Sequence, residues 1–355
     1  MKSAFKKILE KEPVEASAPC RIDMGGTLDI STFYFPLRHY SPGTVNLALD
    51  LRTRVRVSAY TDGIVRISSK GFRSAEYPLL QVPMRHPLGL LFAVAAYFGQ
   101  AGIHIEVDSA SPPKSGLGGS SAAAVALIAS LAAITERDDM SRRKIAWLAH
   151  AIEGSVAGVA CGIQDQLAAA YGGVNLWMWR GGEKLPGYGK KVLVQKKYYK
   201  DIERRLLVAF CGKPHVSAQV NGRWVDQFLS GKYRQEWVEI IGCTQGFAQA
   251  LVEKDLPRAI DWMNQETAIR RRMTPEVLDA TGKKLVRAAI DSRCGARFTG
   301  AGGGGCIWAV GDDAAIEHLK GRWQRLLKPI PSARLLNAGI DGRGVVVNKG
   351  NGDRG

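Results

Sequence analysis

The segment SPPKSGLGGSSAAAVALIAS (111–130) places glycines and serines directly before a run of Ala, Val, Leu and Ile that is typical of a buried helix. A helix begins with unpaired backbone N–H groups and a partial positive charge, and glycines let that backbone approach an anion closely. Serine hydroxyls add hydrogen-bond donors or oxygen ligands. The segment matches neither a Walker A loop nor GxGxxG. On its own it predicts either a phosphate-binding loop or a turn that caps a helix.

A second glycine-rich stretch, TGAGGGGC (299–306), contains five glycines and lies between two apolar, strand-like segments. Glycine loses more conformational entropy on folding than any other residue. A run of this density therefore favours a loop whose backbone must approach another group closely over a simple bulged hairpin.

Elements of two kinds must position these loops. Alternation of buried-type and charged residues, clearest in TVNLALDLRTRVRVSAY (44–60), predicts strands with one wet face. Helical spacing predicts helices after the first loop as far as about 171, and again over 218–292 and 313–327. Strands and helices mixed in this way indicate an α+β protein, with a domain boundary in the 180s or 190s.

The composition is that of a globular protein. The chain has 355 residues, 46% hydrophobic and 23% charged, a length typical of two domains. Its N-terminal residues lack the apolar core of a secretory signal, and its longest apolar runs are shorter than the ~20 residues that span a bilayer. Six scattered cysteines show no zinc-ligand spacing or disulfide framework. We expect reduced thiols and a cytoplasmic protein without membrane contact.

The net charge of +16 is compatible with a nucleic acid, an anionic membrane surface or an anionic small molecule. Basic residues cluster at 190–205 and 269–273, but no RNA-recognition, zinc-finger or basic-zipper motif accompanies them. Charge alone therefore does not identify a partner, and we expect no nucleic acid.

Four segments together resemble the GHMP kinases, a family that includes galactokinases and homoserine, mevalonate and phosphomevalonate kinases. PPKSGLGGSSAAA (112–124) resembles the central motif of the family, PxxxGLGSSAA, and GARFTGAGGGGC (295–306) resembles the third motif. APCRIDMGGTLD (18–29) is similar to the first motif of the sugar kinases in the family. CGIQDQLAAAYGG (161–173) resembles galactokinases and, more closely, D-glycero-D-manno-heptose 7-phosphate kinases. Their common order makes the combination specific.

The resemblance implies an α+β, two-domain GHMP kinase fold. Residues 1–192 would form the N-terminal ATP-binding domain, with a fold like that of ribosomal protein S5 domain 2. Residues 193–355 would form a ferredoxin-like C-terminal domain, and the active site would lie between the two.

The resemblance also implies roles for charged residues. Asp165 would accept the proton of the acceptor hydroxyl, and its place between two glutamines is atypical of a solvated surface charge. Arg21 would keep Asp165 ionised and polarise the acceptor oxygen. Glu153 and Ser121 would hold Mg²⁺, with Ser120 as an alternative ligand. On the residues alone, Arg21 could be a strand-edge arginine in solvent and Glu153 an exposed helix glutamate.

Two further sets of residues follow from the motifs. The first set would bind the ATP phosphates and comprises Pro113, Lys114, Ser115, Gly116, Leu117, Gly118, Gly119, Ser120, Ser121 and Ala122. The second set would bind the acceptor and comprises Thr27, Asp29, Gly302, Gly303 and Gly304.

The first motif departs from both sugar-kinase patterns, because MGGTLD inserts Leu28 between Thr27 and Asp29. The acceptor-facing turn must therefore differ. A phosphorylated acceptor would need basic side chains. Candidates for that role are Arg38, His39, His215 and Arg270 to Arg272. If Arg270, Arg271 and Arg272 lie on one helix, at most two of them can face the same site.

These residues predict a kinase that transfers the γ-phosphate of ATP to a hydroxyl of a sugar or sugar phosphate, with heptose 7-phosphate kinase-like activity as the first choice. Galactokinase-like activity on a free sugar is the alternative, and mevalonate or homoserine kinase activity ranks lower. A non-catalytic sugar- or ATP-sensing relative stays open, although Asp165, Glu153 and Ser121 favour catalysis. The sequence is also compatible with a homodimer.

Overall fold

The computed structural model describes residues 4–135, 140–158, 160–180, 187–214 and 217–348. Its strands are β1 (Val14–Met24), β2 (Gly43–Ala59), β3 (Ile64–Ser69), β4 (Ala75–Pro78), β5 (Ile103–Ser109), β6 (Val174–Trp179), β7 (Tyr188–Val194), β8 (Leu206–Phe210), β9 (Gly295–Phe298), β10 (Cys306–Val310), β11 (Arg334–Leu336) and β12 (Val346–Asn348). Its α-helices are α1 (Ala4–Lys11), α2 (Ser31–Tyr34), α3 (Gly89–Tyr97), α4 (Gly119–Ile134), α5 (Arg142–Ala157), α6 (Gln164–Tyr171), α7 (Tyr199–Arg204), α8 (Ser217–Leu229), α9 (Arg234–Glu253), α10 (Leu256–Met273), α11 (Ala280–Asp291) and α12 (Asp313–Leu327).

The larger of two sheets has eight strands in the order β12-β1-β2-β5-β3-β4, with β6 paired to β2 and β7 paired to β6. The predicted alternation in β2 is confirmed, because Val55 and Val57 are fully buried while Arg54 and Arg56 are exposed. The helix α4 packs against β1 and β2, and α5 and α6 pack against α4. Nearly every side chain of α4 is buried, which explains its apolar sequence on all sides.

The smaller sheet has four antiparallel strands in the order β11-β8-β10-β9. In chain order, β8 is followed by helices, then by β9 and β10, then by α12 and β11. This is a β-α-β-β-α-β arrangement, the ferredoxin-like motif that the family resemblance implied. The mixture of two such sheets with packed helices confirms the predicted α+β class.

The chain returns to the larger sheet at its end. Ile340 bridges to Leu49, and β12 pairs antiparallel with β1. Arg52 fixes this return, since its guanidinium forms an ion pair with Asp341 and donates to the carbonyl of Gly344 at 2.8 Å. The domain boundary between residues 192 and 193 stays a prediction. The sequence analysis did not anticipate that residues after β11 rejoin the larger sheet.

Across the described ranges, no helix combines the length and the apolar character that a membrane crossing requires.

Candidate active site

A cavity of about 840 Å³ brings together residues of the first motif (18–29), the central motif (112–124), the third motif (295–306) and the start of α6. The two glycine loops are joined directly, because the backbone N–H of Cys306 donates to the carbonyl of Ser115 at 2.9 Å. Residues far apart in the chain therefore share one site between the two sheets.

The central loop forms one wall of this cavity and leads into α4. Gly118 is the residue before the helix and has a left-handed backbone with φ of 75°, and Gly116 has φ of 74°. Such angles favour glycine. Of the predicted ATP-binding set, the residues that line the cavity are Pro113, Lys114, Ser115, Gly116, Gly118, Gly119, Ser120 and Ser121. Leu117 and Ala122 do not line the cavity and are fully buried.

Asp165 and Arg21 form a close ion pair at the cavity. The Nε atom of Arg21 donates to Oδ1 of Asp165 at 2.7 Å, and its Nη1 donates to the carbonyl of Gly116. Burial raises the pKa of Asp165 above its usual value, although the Arg21 guanidinium opposes the shift. Arg21 is 4% exposed, which excludes the alternative of a solvated strand-edge arginine.

Glu153 and Ser121 also meet here. Ser121 Oγ donates to Oε2 of Glu153 at 2.9 Å, and Nε2 of Gln166 donates to the same oxygen at 2.5 Å. Burial and the nearby Asp165 carboxylate raise the pKa of Glu153 to about 7. The half-buried Glu153 carboxylate and the Ser121 hydroxyl are hard oxygen donors of the kind that fits Mg²⁺. Sequence reasoning did not single out Gln166.

Asp29 and Thr27 line the cavity from the turn after β1. Leu28 between them is fully buried, so the insertion that distinguishes this motif directs an apolar side chain into the core. Oδ2 of Asp29 accepts from the backbone N–H of Gln164 at 2.9 Å. A Cβ atom at Gly162 would overlap the Asp29 carboxylate, which explains why that position is glycine. Burial raises the pKa of Asp29 to about 7.

The third motif contributes to the cavity through Gly300 and Ala301. The predicted acceptor-binding glycines Gly302, Gly303 and Gly304 do not line it. A Cβ at Gly302 would lie 3.0 Å from the Cβ of Val277, and one at Gly304 would lie 2.9 Å from the carbonyl oxygen of Pro214. These glycines permit close packing within the C-terminal half of the chain.

None of the described candidates for binding a substrate phosphate lines the cavity. Arg38, His39, Arg271 and Arg272 are exposed, and Arg270 is fully buried. His215 lies outside the described residues. The basic side chains that do line the cavity are Arg21, Lys70, Lys114 and Arg334.

Sequence reasoning missed three buried charged residues next to the site, namely Asp23, Glu266 and Arg297, each with 0% exposure. Asp23 lies in β1, Glu266 in α10 and Arg297 in β9. The signal available was a charged residue inside an otherwise apolar strand, as in CRIDM and GARF.

Comparisons with known proteins extend over most of the chain. Residues 86–173 match the family model described as GHMP kinases N terminal domain. A mevalonate kinase of Thermococcus sibiricus is 26% identical over 332 residues, covering 86% of this chain and 91% of that protein.

Two solved structures share the fold. A D-glycero-D-manno-heptose 1-phosphate kinase from Bacteriodes thetaiotaomicron has a TM-score of 0.74 at 17% identity, covering 96% of this chain and 100% of that one. Lactococcus lactis galactokinase complexed with galactose has a TM-score of 0.69 at 16% identity, covering 96% of this chain and 97% of that one. Residues 86–173 thus contain a GHMP kinase N-terminal domain, and the chain has the GHMP kinase fold. GHMP kinases are ATP-dependent phosphotransferases acting on hydroxyl groups.

Proposed function

We propose that this chain transfers the γ-phosphate of ATP to a hydroxyl of a sugar or sugar phosphate. The observation that carries the proposal is the meeting of Asp165, Arg21 and Asp29 in one cavity with the central glycine loop. Phosphoryl transfer requires positioning, charge neutralisation and a group that accepts the proton of the attacking hydroxyl. The contents of this cavity match those three requirements.

Asp165 is the proposed proton acceptor. Burial raises its pKa toward the working range of a general base, and Arg21 keeps the carboxylate in its charged form. Because Arg21 also donates to the carbonyl of Gly116, it fixes the base relative to the loop that is to hold the phosphates. Backbone N–H groups at the start of α4 face that loop and suit an anion.

Ser121 and Glu153 are the proposed ligands of Mg²⁺. When bound there, the ion would neutralise negative charge on the β- and γ-phosphates. Gln166 orients Glu153 through its hydrogen bond of 2.5 Å.

The acceptor is a polyol rather than a carboxylate in this proposal. Asp29 offers carboxylate oxygens to substrate hydroxyls, and Thr27 lines the cavity beside it. The second candidate is nevertheless mevalonate, because the named sequence relative that covers most of the chain is a mevalonate kinase.

The test is ATP consumption with Mg²⁺ across free sugars, sugar phosphates, mevalonate and homoserine, for the wild type and Asp165→Asn. We expect turnover on a sugar or sugar phosphate that falls by about 10³-fold or more in Asp165→Asn. Asp226→Asn, at an exposed position of α8, is the matched control and should retain activity. Turnover on mevalonate alone would replace the sugar assignment, and an active Asp165→Asn would refute the role of the base.

A further inference from the structure

Behind the cavity, buried acidic and basic side chains form a continuous network of ion pairs that begins at Glu266 of α10. Nε of Arg297 donates to Oε2 of Glu266 at 2.8 Å, and Nη2 donates to Oε1 at 3.1 Å. Nε of Arg270 donates to Oε1 of the same glutamate at 2.9 Å. All three side chains are fully buried. Glu266 therefore holds two arginines that point to different parts of the first motif.

The Arg297 arm reaches the proposed catalytic pair. Nη1 of Arg297 lies 3.0 Å from Oδ2 of Asp23, and Oδ1 of Asp23 accepts from the backbone N–H of Gly300 at 2.7 Å. Oδ1 of Asp23 also lies 3.6 Å from Nη1 of Arg21. Arg21 is thus shared between Asp23 behind it and Asp165 in front of it.

The Arg270 arm reaches the acceptor-facing turn. Nη2 of Arg270 donates to the carbonyl of Gly26 at 2.6 Å, and Gly26 directly precedes Thr27. The Arg270 guanidinium lies 4.7 Å from the ring centre of Trp224 and 4.6 Å from that of Trp237. Two indole rings and an ion pair leave this side chain little freedom to move.

Stability alone is a poor explanation for this arrangement, because hydrophobic residues of similar volume often replace buried ion pairs without loss. Burial would raise the pKa of Glu266, but Arg297 and Arg270 outweigh that effect and hold its pKa below the usual value. The glutamate is therefore charged, and its two oxygens fix both guanidinium planes. The Arg297 guanidinium in turn contacts Asp23, and the Arg270 guanidinium contacts the carbonyl of Gly26.

We propose that Glu266 is a positioning residue that aligns the catalytic pair through Arg297 and Asp23, and the acceptor turn through Arg270 and Gly26. This inference rests on the proposed function, since it takes Asp165 as the base and the turn at Thr27 as the acceptor site. Residues of α10 and β9 thereby complete a site whose reacting groups lie in the first half of the chain.

The two arms predict different kinetic defects, which separates positioning from a structural role. Arg297→Lys keeps the charge but loses the paired N–H donors of the guanidinium. We therefore expect kcat to fall about tenfold while KM for the acceptor changes little. Asp23→Asn has the same shape as the natural residue and should give the same defect. Arg270→Lys should raise KM for the acceptor about tenfold with little change in kcat. Glu266→Gln should change both.

The measurements are steady-state kinetics in acceptor and in ATP, with the folded fraction determined from thermal melting and the stoichiometry of nucleotide binding. Arg272→Lys, on the exposed face of α10, is the matched control and should leave all constants unchanged. If Arg270→Lys fails to fold, Arg270→Met, which has a similar volume and no charge, takes its place.

Separate kcat and KM defects in the two arms would support the inference. Equal changes of kcat and KM in both arms, or losses that follow only the folded fraction, would overturn it. An Asp165→Asn variant that retained turnover would instead refute the proposed function. Loss in Asp165→Asn without the kinetic separation would leave the proposed function intact and reject the role of Glu266.

Discussion

Three carboxylic acids at the cavity, Asp29, Glu153 and Asp165, all have pKa values above their usual range, and burial is the largest cause in each. Each also has a specific hydrogen-bond partner, namely the Gln164 backbone, Ser121 or Arg21. Burying acidic groups together costs folding free energy, because each charge is removed from water and repels the others. A site that keeps them together is organised for binding and reaction rather than for stability.

Asp29 allows this cost to be measured. Its pKa of about 7 lies above the unfolded value of about 3.9, so the folded protein retains a proton that the unfolded chain releases in this interval. The stabilising contribution is complete below the unfolded pKa and is lost as the pH rises through the folded pKa. Between about pH 5.5 and about pH 8, we expect wild type to lose about 2 kcal/mol of unfolding free energy relative to Asp29→Asn.

Urea unfolding of the two proteins at both pH values measures this difference, and the effect of Glu153 cancels because both proteins contain it. Asp226→Asn, at an exposed position, is the control and should show no such pH dependence relative to wild type. A constant difference between wild type and Asp29→Asn at the two pH values would contradict the raised pKa of Asp29.

At the scale of elements, the central loop positions groups from two helices at once. Gly118 ends the loop directly before α4, and the Asp165 side chain from α6 lies against it. A Cβ atom at Gly118 would lie 3.2 Å from Oδ2 of Asp165. The glycine is required both by its backbone angle and by the approach of the proposed base.

Gly118→Ala should therefore impair catalysis beyond its effect on folding. We expect a loss of about 1 kcal/mol in stability from the strained backbone and a fall in kcat of about 100-fold from displacement of the carboxylate. Gly63→Ala is the matched control, since Gly63 has φ of 78° and no atom within 4 Å of an added Cβ. It should show the stability loss with normal kcat, as measured by urea unfolding and steady-state assay. Equal kcat values for the two variants would disprove the steric role.

What could be predicted from the sequence was mainly local. Glycine density, alternation in β2 and the apolar sequence of α4 each report on their own segment, so these elements were found where expected. The network of buried ion pairs behind the site could not be predicted this way, because Asp23 and Arg297 meet only after the two sheets pack together. Arg270, one of the candidates for binding a substrate phosphate, instead donates hydrogen bonds to Glu266 and to the carbonyl of Gly26.

For the whole molecule, the family motifs predicted the fold class but not how the chain ends. Residues after β11 return to the larger sheet and contact the end of α6 opposite to Asp165. The backbone N–H of Gly173 donates to the carbonyl of Asp341 at 2.7 Å, and that of Val345 donates to the carbonyl of Ala170 at 3.2 Å. The final segment thus fixes the helix that carries the proposed base.

Asp341 is the residue through which this fixation can be tested, because its side chain pairs with Arg52 and accepts from the backbone N–H groups of Arg343 and Gly344. Asp341→Asn leaves the mostly buried Arg52 guanidinium without its counter-charge, and we expect the free energy of unfolding to fall by about 3 kcal/mol. Asp313→Asn, whose pairs with Arg204 and Arg205 are exposed, is the matched control and should change stability little. Urea unfolding measures both variants. We expect kcat per folded molecule to stay within about threefold of wild type, because the Asp341 carbonyl accepts from Gly173 just beyond the end of α6 opposite to Asp165. Equal stability losses in the two variants would show that the Asp341–Arg52 ion pair does not anchor the returning segment.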